Sequence, residues 1–360
     1  MSVSIRVASS PGEARVAVVD GLRLLDFSLW RPGAPDGVGD VHRGRVIASV
    51  PAMAGAFVAL ADAEGFLPDS EGARGLPAGT LLTVRVTRAA QGNKGPRLTA
   101  KVEGAQAAEG PVGLVRRGPD PVRQFVARYP DAPVVVDDAG VAAALGMGTV
   151  TSEVFDEDIA DAIDALSRPV VEVAGGATLS IWPTPALVAI DVDAGGMLAG
   201  RVRHEAVNRA ALPALAGQIR LRNLSGGIVV DLAGLSPRKR AALGPDFVAA
   251  LADDPLRPRF LGFTALGLAE IVRSRVHPPL HELLAGPLAA GLAALRAVLA
   301  GFDGDPRALA AIRAHPAVIS ALQGDPAALP DLARRTGRGA TLRSDPSLPA
   351  TAWVLEKDND

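Results

Sequence analysis

The sequence predicts a multidomain chain of mixed α+β and α/β class with a small β-barrel in its N-terminal third. Three observations carry this reading. From Val41 to Val102 short strand-like runs punctuated by Gly and Pro follow one another with no helix of any length. After residue 112 the pattern changes to alternating helical and strand-like stretches. Finally, 360 residues at 48% hydrophobic content are enough for two or three separate cores.

The first thirty residues read as a meander: Ser4–Val7, Ala14–Val19, a turn at Asp20-Gly21, and Leu22–Trp30. An Asp-Gly between apolar or alternating runs is a strong hairpin signal. Pro32–Asp40 is a turn-rich joint. The barrel candidate comprises Gly44–Val50, Gly55–Leu60, Gly65–Pro68, Thr80–Thr87 and Arg97–Val102, as in a Greek-key OB-fold. Residues 103–112 form an Ala/Gly/Glu-rich linker. Pro121–Arg128 then reads as a helix, Pro133–Val136 as a strand ending on Asp137-Asp138, and Gly140–Leu145 as a helix. Asp156–Leu166 opens with acidic residues and sets Ile159, Ile163 and Leu166 on one face, the pattern of a well-charged helix start.

A turn at Ala174-Gly175-Gly176 leads into a strand at Thr178–Ile181. Two short apolar, largely β-branched runs follow. Leu187–Ile190 passes into Asp191-Val192-Asp193, and Gly226–Val230 ends on Asp231. Between them His204–Asn223 is helical in part, with Pro213 marking a kink or a delayed start. Beyond lie a basic helix at Pro237–Ala249, an apolar strand at Arg259–Phe263 and a helix at Leu266–Arg275. The last 70 or so residues form a small α/β module with Pro- and Gly-marked helices, closing on a strand at Ala340–Arg343.

Composition removes several function classes. The formal net charge is −2, so no global basic field advertises nucleic-acid binding and any such site is local. With no cysteine, disulfides, thiol nucleophiles and thiolate zinc sites are excluded, which makes oxygen-ligated hard cations the easier option. His277 and His281 enclose Pro278-Pro279, so no helix presents both to one metal, and they are assigned no role. No uninterrupted apolar segment follows Met1–Arg6, so no signal peptide is expected. Leu280–Phe302 contains Glu282, Pro287 and Arg296 with a leucine stripe at 288, 292, 295 and 299, an amphipathic helix and not a membrane span. The expected location is the cytoplasm, with no membrane partner.

Burying an ionised carboxylate at a strand end is costly unless it is paired, hydrogen-bonded or bound to a metal, so Asp191 and Asp231 suggest a cation site. Taken alone, such strand-end residues are more often caps or loop groups. An Asp-x-Asp such as Asp191–Asp193 also serves metal-dependent sugar-nucleotide transferases.

The order of several words favours one reading. Arg15–Gly21 with Pro32-Gly33, Val38–Val46, Ala56-Phe57-Val58, Gly65-Phe66-Leu67, Gly92–Thr99, Ala189–Asp193, Gln218–Asp231, Leu261–Glu270, Arg273–Arg275, His315-Pro316, Arg335–Gly337 and Asp345–Leu348 together resemble the ribonuclease E/G family, nearly end to end. The resemblance implies an RNase H-like subdomain at 1–37 and 104–176 with an S1-like OB-fold RNA-binding domain inserted at 38–103. It further implies a DNase I-like catalytic subdomain at 177–285 and a small C-terminal domain at 286–360. Asp191 and Asp231 match the two carboxylates that hold a catalytic Mg²⁺, and Asp193 stands where the family has Asn. Phe57 and Phe66 match base-stacking positions and Lys94 a phosphate-contacting lysine, with Arg43 and Arg45 adding to the patch. The alternative for both Phe residues is the barrel core. Arg220, Arg222 and the run Arg238-Lys239-Arg240 are candidate phosphate grips or plain solvated charges. Asn208 and Gln218 match family words, with a surface role the alternative.

The implied activity is a Mg²⁺-dependent endoribonuclease that cuts single-stranded RNA by attack of water, leaving 5′-phosphate ends. The alternative is a catalytically inactive RNA-binding relative. Several features depart from the family. The segment that senses a 5′-monophosphate is replaced by the short 103–112 linker, and the paired cysteines of a zinc link are absent. Thr184-Pro185-Ala186-Leu187 lacks the usual Glu, and Gly234 replaces a second Asp. Any homo-oligomer is therefore not zinc-bridged.

Overall fold

The computed structural model describes residues 3–103, 110–173, 176–194, 204–305 and 309–357; most of the predicted 103–112 linker, and Ala174 and Gly175 of the predicted turn, lie outside that set. The chain divides into two compact units, one of residues 1–34, 121–274 and 279–360, the other of 35–120 and 275–278. The first unit opens with the predicted meander: β1 (Val3–Ser10), β2 (Glu13–Asp20) and β3 (Arg23–Trp30), antiparallel in that order. Gly21 takes φ +62° in the second hairpin, the left-handed conformation that makes Asp-Gly a turn signal.

The second unit is a closed five-stranded barrel of OB type. Its strands are β4 (Val41–Val50), β5 (Gly55–Ala59), β6 (Glu64–Pro68), β7 (Leu81–Arg88) and β8 (Arg97–Thr99). The order β5-β6-β8-β7-β4 closes through a β4–β5 pairing, and β9 (Gly113–Arg116) adds to β4 outside the ring. Period-two alternation turns Val46, Ala56, Val58, Leu67, Val84, Val86 and Leu98 into one core.

Back in the first unit, α1 (Pro121–Arg128), β10 (Val134–Val136), α2 (Ala139–Leu145), β11 (Thr149–Val150) and α3 (Glu157–Ala165) follow. The two strands join the meander in parallel, giving the order β11-β10-β1-β2-β3. Val122 and Leu145 pack on Ile5, Val7, Val16 and Val136 of the sheet. On the sheet's other residues, Ala17 and Val19, sit Ile159 and Ile163 of α3. Asp156 caps that helix, its carboxylate accepting from the Ile159 amide at 2.9 Å.

A second sheet holds the two Asp-terminated strands. In chain order its elements are β12 (Val170–Val173), β13 (Ala177–Pro183), β14 (Val188–Asp193), α4 (His204–Leu221), β15 (Gly226–Asp231), α5 (Pro237–Ala241), α6 (Gly244–Leu251), β16 (Arg259–Phe263) and β17 (Ala269–Arg273). The strand order is β12-β13-β14-β15-β17-β16. Strands β14 and β15 are parallel, with α4 between them in sequence, as a parallel pair requires a long crossover. Leu212, Leu215 and Ile219 of α4 and Phe247 of α6 cover Ile190, Val192, Ile228 and Val230.

Three expectations are corrected here. Leu266–Arg275 is not a helix: Ala269–Arg273 is a strand paired to β15 on one side and β16 on the other. The basic helix at 237–249 is two helices, because Pro245 occupies a first-turn position and cannot continue α5. Pro213 neither delays α4 nor ends it; the helix runs through it between the buried Leu212 and Leu215.

The C-terminal part packs α7 (Leu280–Leu283), α8 (Gly286–Ala300), α9 (Pro316–Gly324) and α10 (Ala328–Thr336) with β18 (Ala311–Ala314), β19 (Leu342–Ser344) and β20 (Trp353–Glu356) in the order β19-β18-β20. The final strand was not foreseen. Leu292, Leu295 and Val298 of α8 enter its core. Among the described residues no helix is long and apolar enough to cross a membrane.

Candidate functional site

Asp191, two residues before the end of β14, and Asp231, the last residue of β15, are direct cross-strand partners. Neighbouring strands lie about 4.8 Å apart, so the register alone brings the two carboxylates together. Their neighbours Val192, Val230 and Leu232 are buried while Asp191, Asp193 and Asp231 are exposed, so alternation sends all three carboxylates to the solvent side. Partial burial, then the charges of Asp231 and Asp193, hold the Asp191 carboxyl above the usual carboxylate range. Crowded negative charge of this kind is relieved by a cation. The donor set is all oxygen, which suits a hard divalent ion that keeps most of its waters. Among the described residues no cluster of three or more His, Asp or Glu is arranged to hold a metal.

Two side chains fix Asp231. Arg240 donates from Nη1 to Asp231 Oδ1 at 3.0 Å and to the Gly267 carbonyl at 2.7 Å, while its Nε reaches the Leu235 carbonyl at 3.0 Å. That guanidinium ties the carboxylate to the β16–β17 turn. Asn208, 0% exposed, donates Nδ2 to the His204 and Ala233 carbonyls at 2.7 and 2.8 Å and accepts from the Ala233 amide at 3.0 Å. It clamps the chain just after Asp231 onto α4. Asn208 is thus not a surface residue, and Arg240 is a partner of Asp231 and not a freely solvated charge. Such brackets join residues far apart in sequence and leave no spacing signal.

Arg220 and Arg222 do not face this pair. Arg220 donates to the Leu25 carbonyl (2.8 Å from Nη2) and pairs with buried Asp26 at 3.1 Å. Arg222, buried, donates to Gln218 Oε1 at 2.7 Å and to the carbonyls of Arg168 and Ala165 at 2.7 and 3.2 Å. Burial lowers its guanidinium to about 10. Both arginines cross-link elements of the first unit, and the phosphate-grip expectation is corrected for them on that ground.

On the barrel, Phe57 and Phe66 are half-buried and belong to the outer face, since their neighbours Ala56, Val58 and Leu67 form the core at 0% exposure. They are cross-strand partners with ring centroids 5.6 Å apart at 67°. Gly55 makes room for this: a Cβ there would lie 2.4 Å from the Phe66 ring. Lys94 is exposed on a tight turn in which Gln91 and Lys94 exchange backbone hydrogen bonds at 2.9 Å. The turn is held to Phe66 by its amide, which donates to the Pro96 carbonyl at 2.9 Å. Arg43 and Arg45 donate to the Pro111 and Gly79 carbonyls at 3.0 and 3.4 Å. The register adds two residues that the sequence alone did not single out. Phe66 pairs with Arg97, and Arg97 with Arg88, both exposed. Alternation with buried Leu98 hinted at Arg97; a bulge between Val86 and Arg88 hid the other.

Residues 145–276 match the model of the ribonuclease E/G family. Ribonuclease E of Nostoc sp. is 36% identical over 126 residues, which is 34% of this chain and 18% of that protein. Ribonuclease E of Synechocystis sp. is 34% identical over 124 residues, 33% of this chain and 18% of that protein. Ribonuclease G of Escherichia coli (strain K12) is 30% identical over 131 residues, 35% of this chain and 27% of that protein. The chain thus spans between 18% and 27% of these relatives' length. The family-matched stretch contains both strand-end carboxylates and their brackets.

Proposed function

We propose, from the match of residues 145–276 to the ribonuclease E/G family, that the chain is a Mg²⁺-dependent endoribonuclease acting on single-stranded RNA in the cytoplasm. The observation that carries the proposal is the cross-strand pair Asp191–Asp231 on two adjacent parallel strands inside the matched stretch. These two carboxylates would hold the ion. When bound, Mg²⁺ supplies a water of lowered pKa and offsets charge on the scissile phosphate. The chain's own part is to place the carboxylates: Arg240 takes one oxygen of Asp231, and Asn208 locks the backbone behind it. The expected products carry 5′-phosphate and 3′-hydroxyl ends. Phe57, Phe66 and Lys94 on the barrel would bind the strand by stacking and charge.

An unstructured oligoribonucleotide incubated with Mg²⁺ is expected to be cut by the wild type and left whole by Asp231→Asn, with binding retained. Failure of the wild type to cut RNA that it binds would remove the enzyme reading. One observation favours the second reading, a non-catalytic RNA-binding relative: Asp193 adds a third negative charge on the face of Asp191. On that reading Asp193→Asn makes no difference because nothing is cut. On the enzyme reading the same change alters the Mg²⁺ concentration for half-maximal cleavage.

A further inference from the structure

Four outward-facing side chains lie in register across the barrel: Phe57 on β5, Phe66 on β6, Arg97 on β8 and Arg88 on β7. With about 4.8 Å between strands, the row spans about 14 Å. Its first half is aromatic and its second half cationic. The two guanidiniums differ from most arginines described above. Arg43, Arg45, Arg220, Arg222 and Arg240 are committed to carbonyls or carboxylates, whereas Arg88 and Arg97 make no side-chain hydrogen bond or ion pair among the described residues. Glu71, the acid that senses Arg97, is itself engaged by Thr99 Oγ1 at 2.7 Å and Lys101 at 3.6 Å. Two exposed cations are thus held beside an aromatic pair and face solvent.

We infer that Arg97 and Arg88 are phosphate-contacting residues that extend the Phe57–Phe66 platform, so that a single nucleic-acid strand crosses β5, β6, β8 and β7 in that order. The inference rests on the RNA-binding reading above. Its chemistry favours nucleic acid over an acidic protein because the cations alone would serve either, while stacked rings suit bases. Bases stack on the two rings and the backbone that follows them meets the two guanidiniums.

The test is fluorescence anisotropy of a labelled oligouridylate with the full chain in EDTA, which prevents cleavage, across a salt series. Each lost phosphate contact on a single strand lowers the slope of log K against log[salt] by about 0.7. The double variant Arg88→Ala/Arg97→Ala is expected to lose about 1.4 in slope and about tenfold in affinity near 0.15 M salt. Phe57→Ala is expected to weaken binding at unchanged slope, and Arg88→Lys/Arg97→Lys to restore the slope. A double alanine variant with wild-type slope and affinity overturns the inference while leaving the RNA-binding reading intact. So does displacement of the oligonucleotide by polyglutamate as readily as by unlabelled RNA. A wild type that does not bind the oligonucleotide overturns both.

Discussion

At the residue scale, the clearest constraint is on Asn208. Its amide serves three backbone groups on α4 and on the chain after Asp231, with no exposure to water. Replacing it by Ala leaves a buried amide and two carbonyls short of a partner, and unpaired buried groups are expensive. Asn208→Ala is expected to lower stability by about 2–3 kcal/mol, read from the urea midpoint at unchanged slope. Activity should fall further than stability explains, because Asp231 is freed from its backbone clamp. A variant as stable and as active as wild type would show that the clamp is dispensable. Burial here was invisible in the sequence, where a polar Asn four residues into a helix is expected to face water. What makes it interior is the return of β15 against α4, a contact 25 residues away.

At the scale of elements, one buried cluster ties α1, β3 and α4 together. Asp26 on β3 accepts from the Tyr129 hydroxyl at 2.5 Å and pairs with Arg128 at 3.3 Å and Arg220 at 3.1 Å. Burial first, then the hydrogen bond to Asp26, push the Tyr129 phenol up to about 12. Tyr129 is the single tyrosine of the chain, so an absorbance titration reads it directly. Its midpoint is expected near 12 in the folded protein and near 10 in urea. The folded value is raised, so the stability linked to this proton is complete below pH 10 and is lost as pH climbs toward 12. A folded-state midpoint near 10 would mean that the bond to Asp26 is not made.

The same scale shows what sequence could and could not supply. Strands β14 and β15 were legible because a β-branched run ending on Asp is a local pattern, and so were the barrel strands between their Gly and Pro breaks. Strand β17 was not. Leu266–Arg275 holds Leu, Ala, Glu and Arg, residues with good helix propensity, and only pairing on both sides makes 269–273 extended. The break between α5 and α6 could have been found, since Pro245 inside a putative helix is a stop signal. Arg220 and Arg222 sit in a basic word beside a catalytic candidate, and nothing local reveals that their guanidiniums point at Asp26 and at carbonyls of residues 165–168.

For the whole molecule, the proposed function distributes two tasks over separate compact units. The carboxylates belong to the unit of residues 1–34, 121–274 and 279–360, and the aromatic pair to the barrel of 35–120. If the barrel supplies binding alone, its contribution acts on ground state and transition state alike, so its loss raises KM and leaves kcat in place. Phe57→Ala, whose ring is half-exposed and outside the barrel core, is expected to raise KM for short single-stranded RNA by about fivefold or more, as removal of one stacked base would, with kcat within about twofold. Asp191→Asn should do the reverse, removing kcat and sparing the dissociation constant measured without metal. A fall in kcat for Phe57→Ala at saturating RNA, with KM unchanged, would sink the division of labour. It would mean that the barrel face helps to set the geometry of the cut, and that binding and cleavage are one coupled event in this chain.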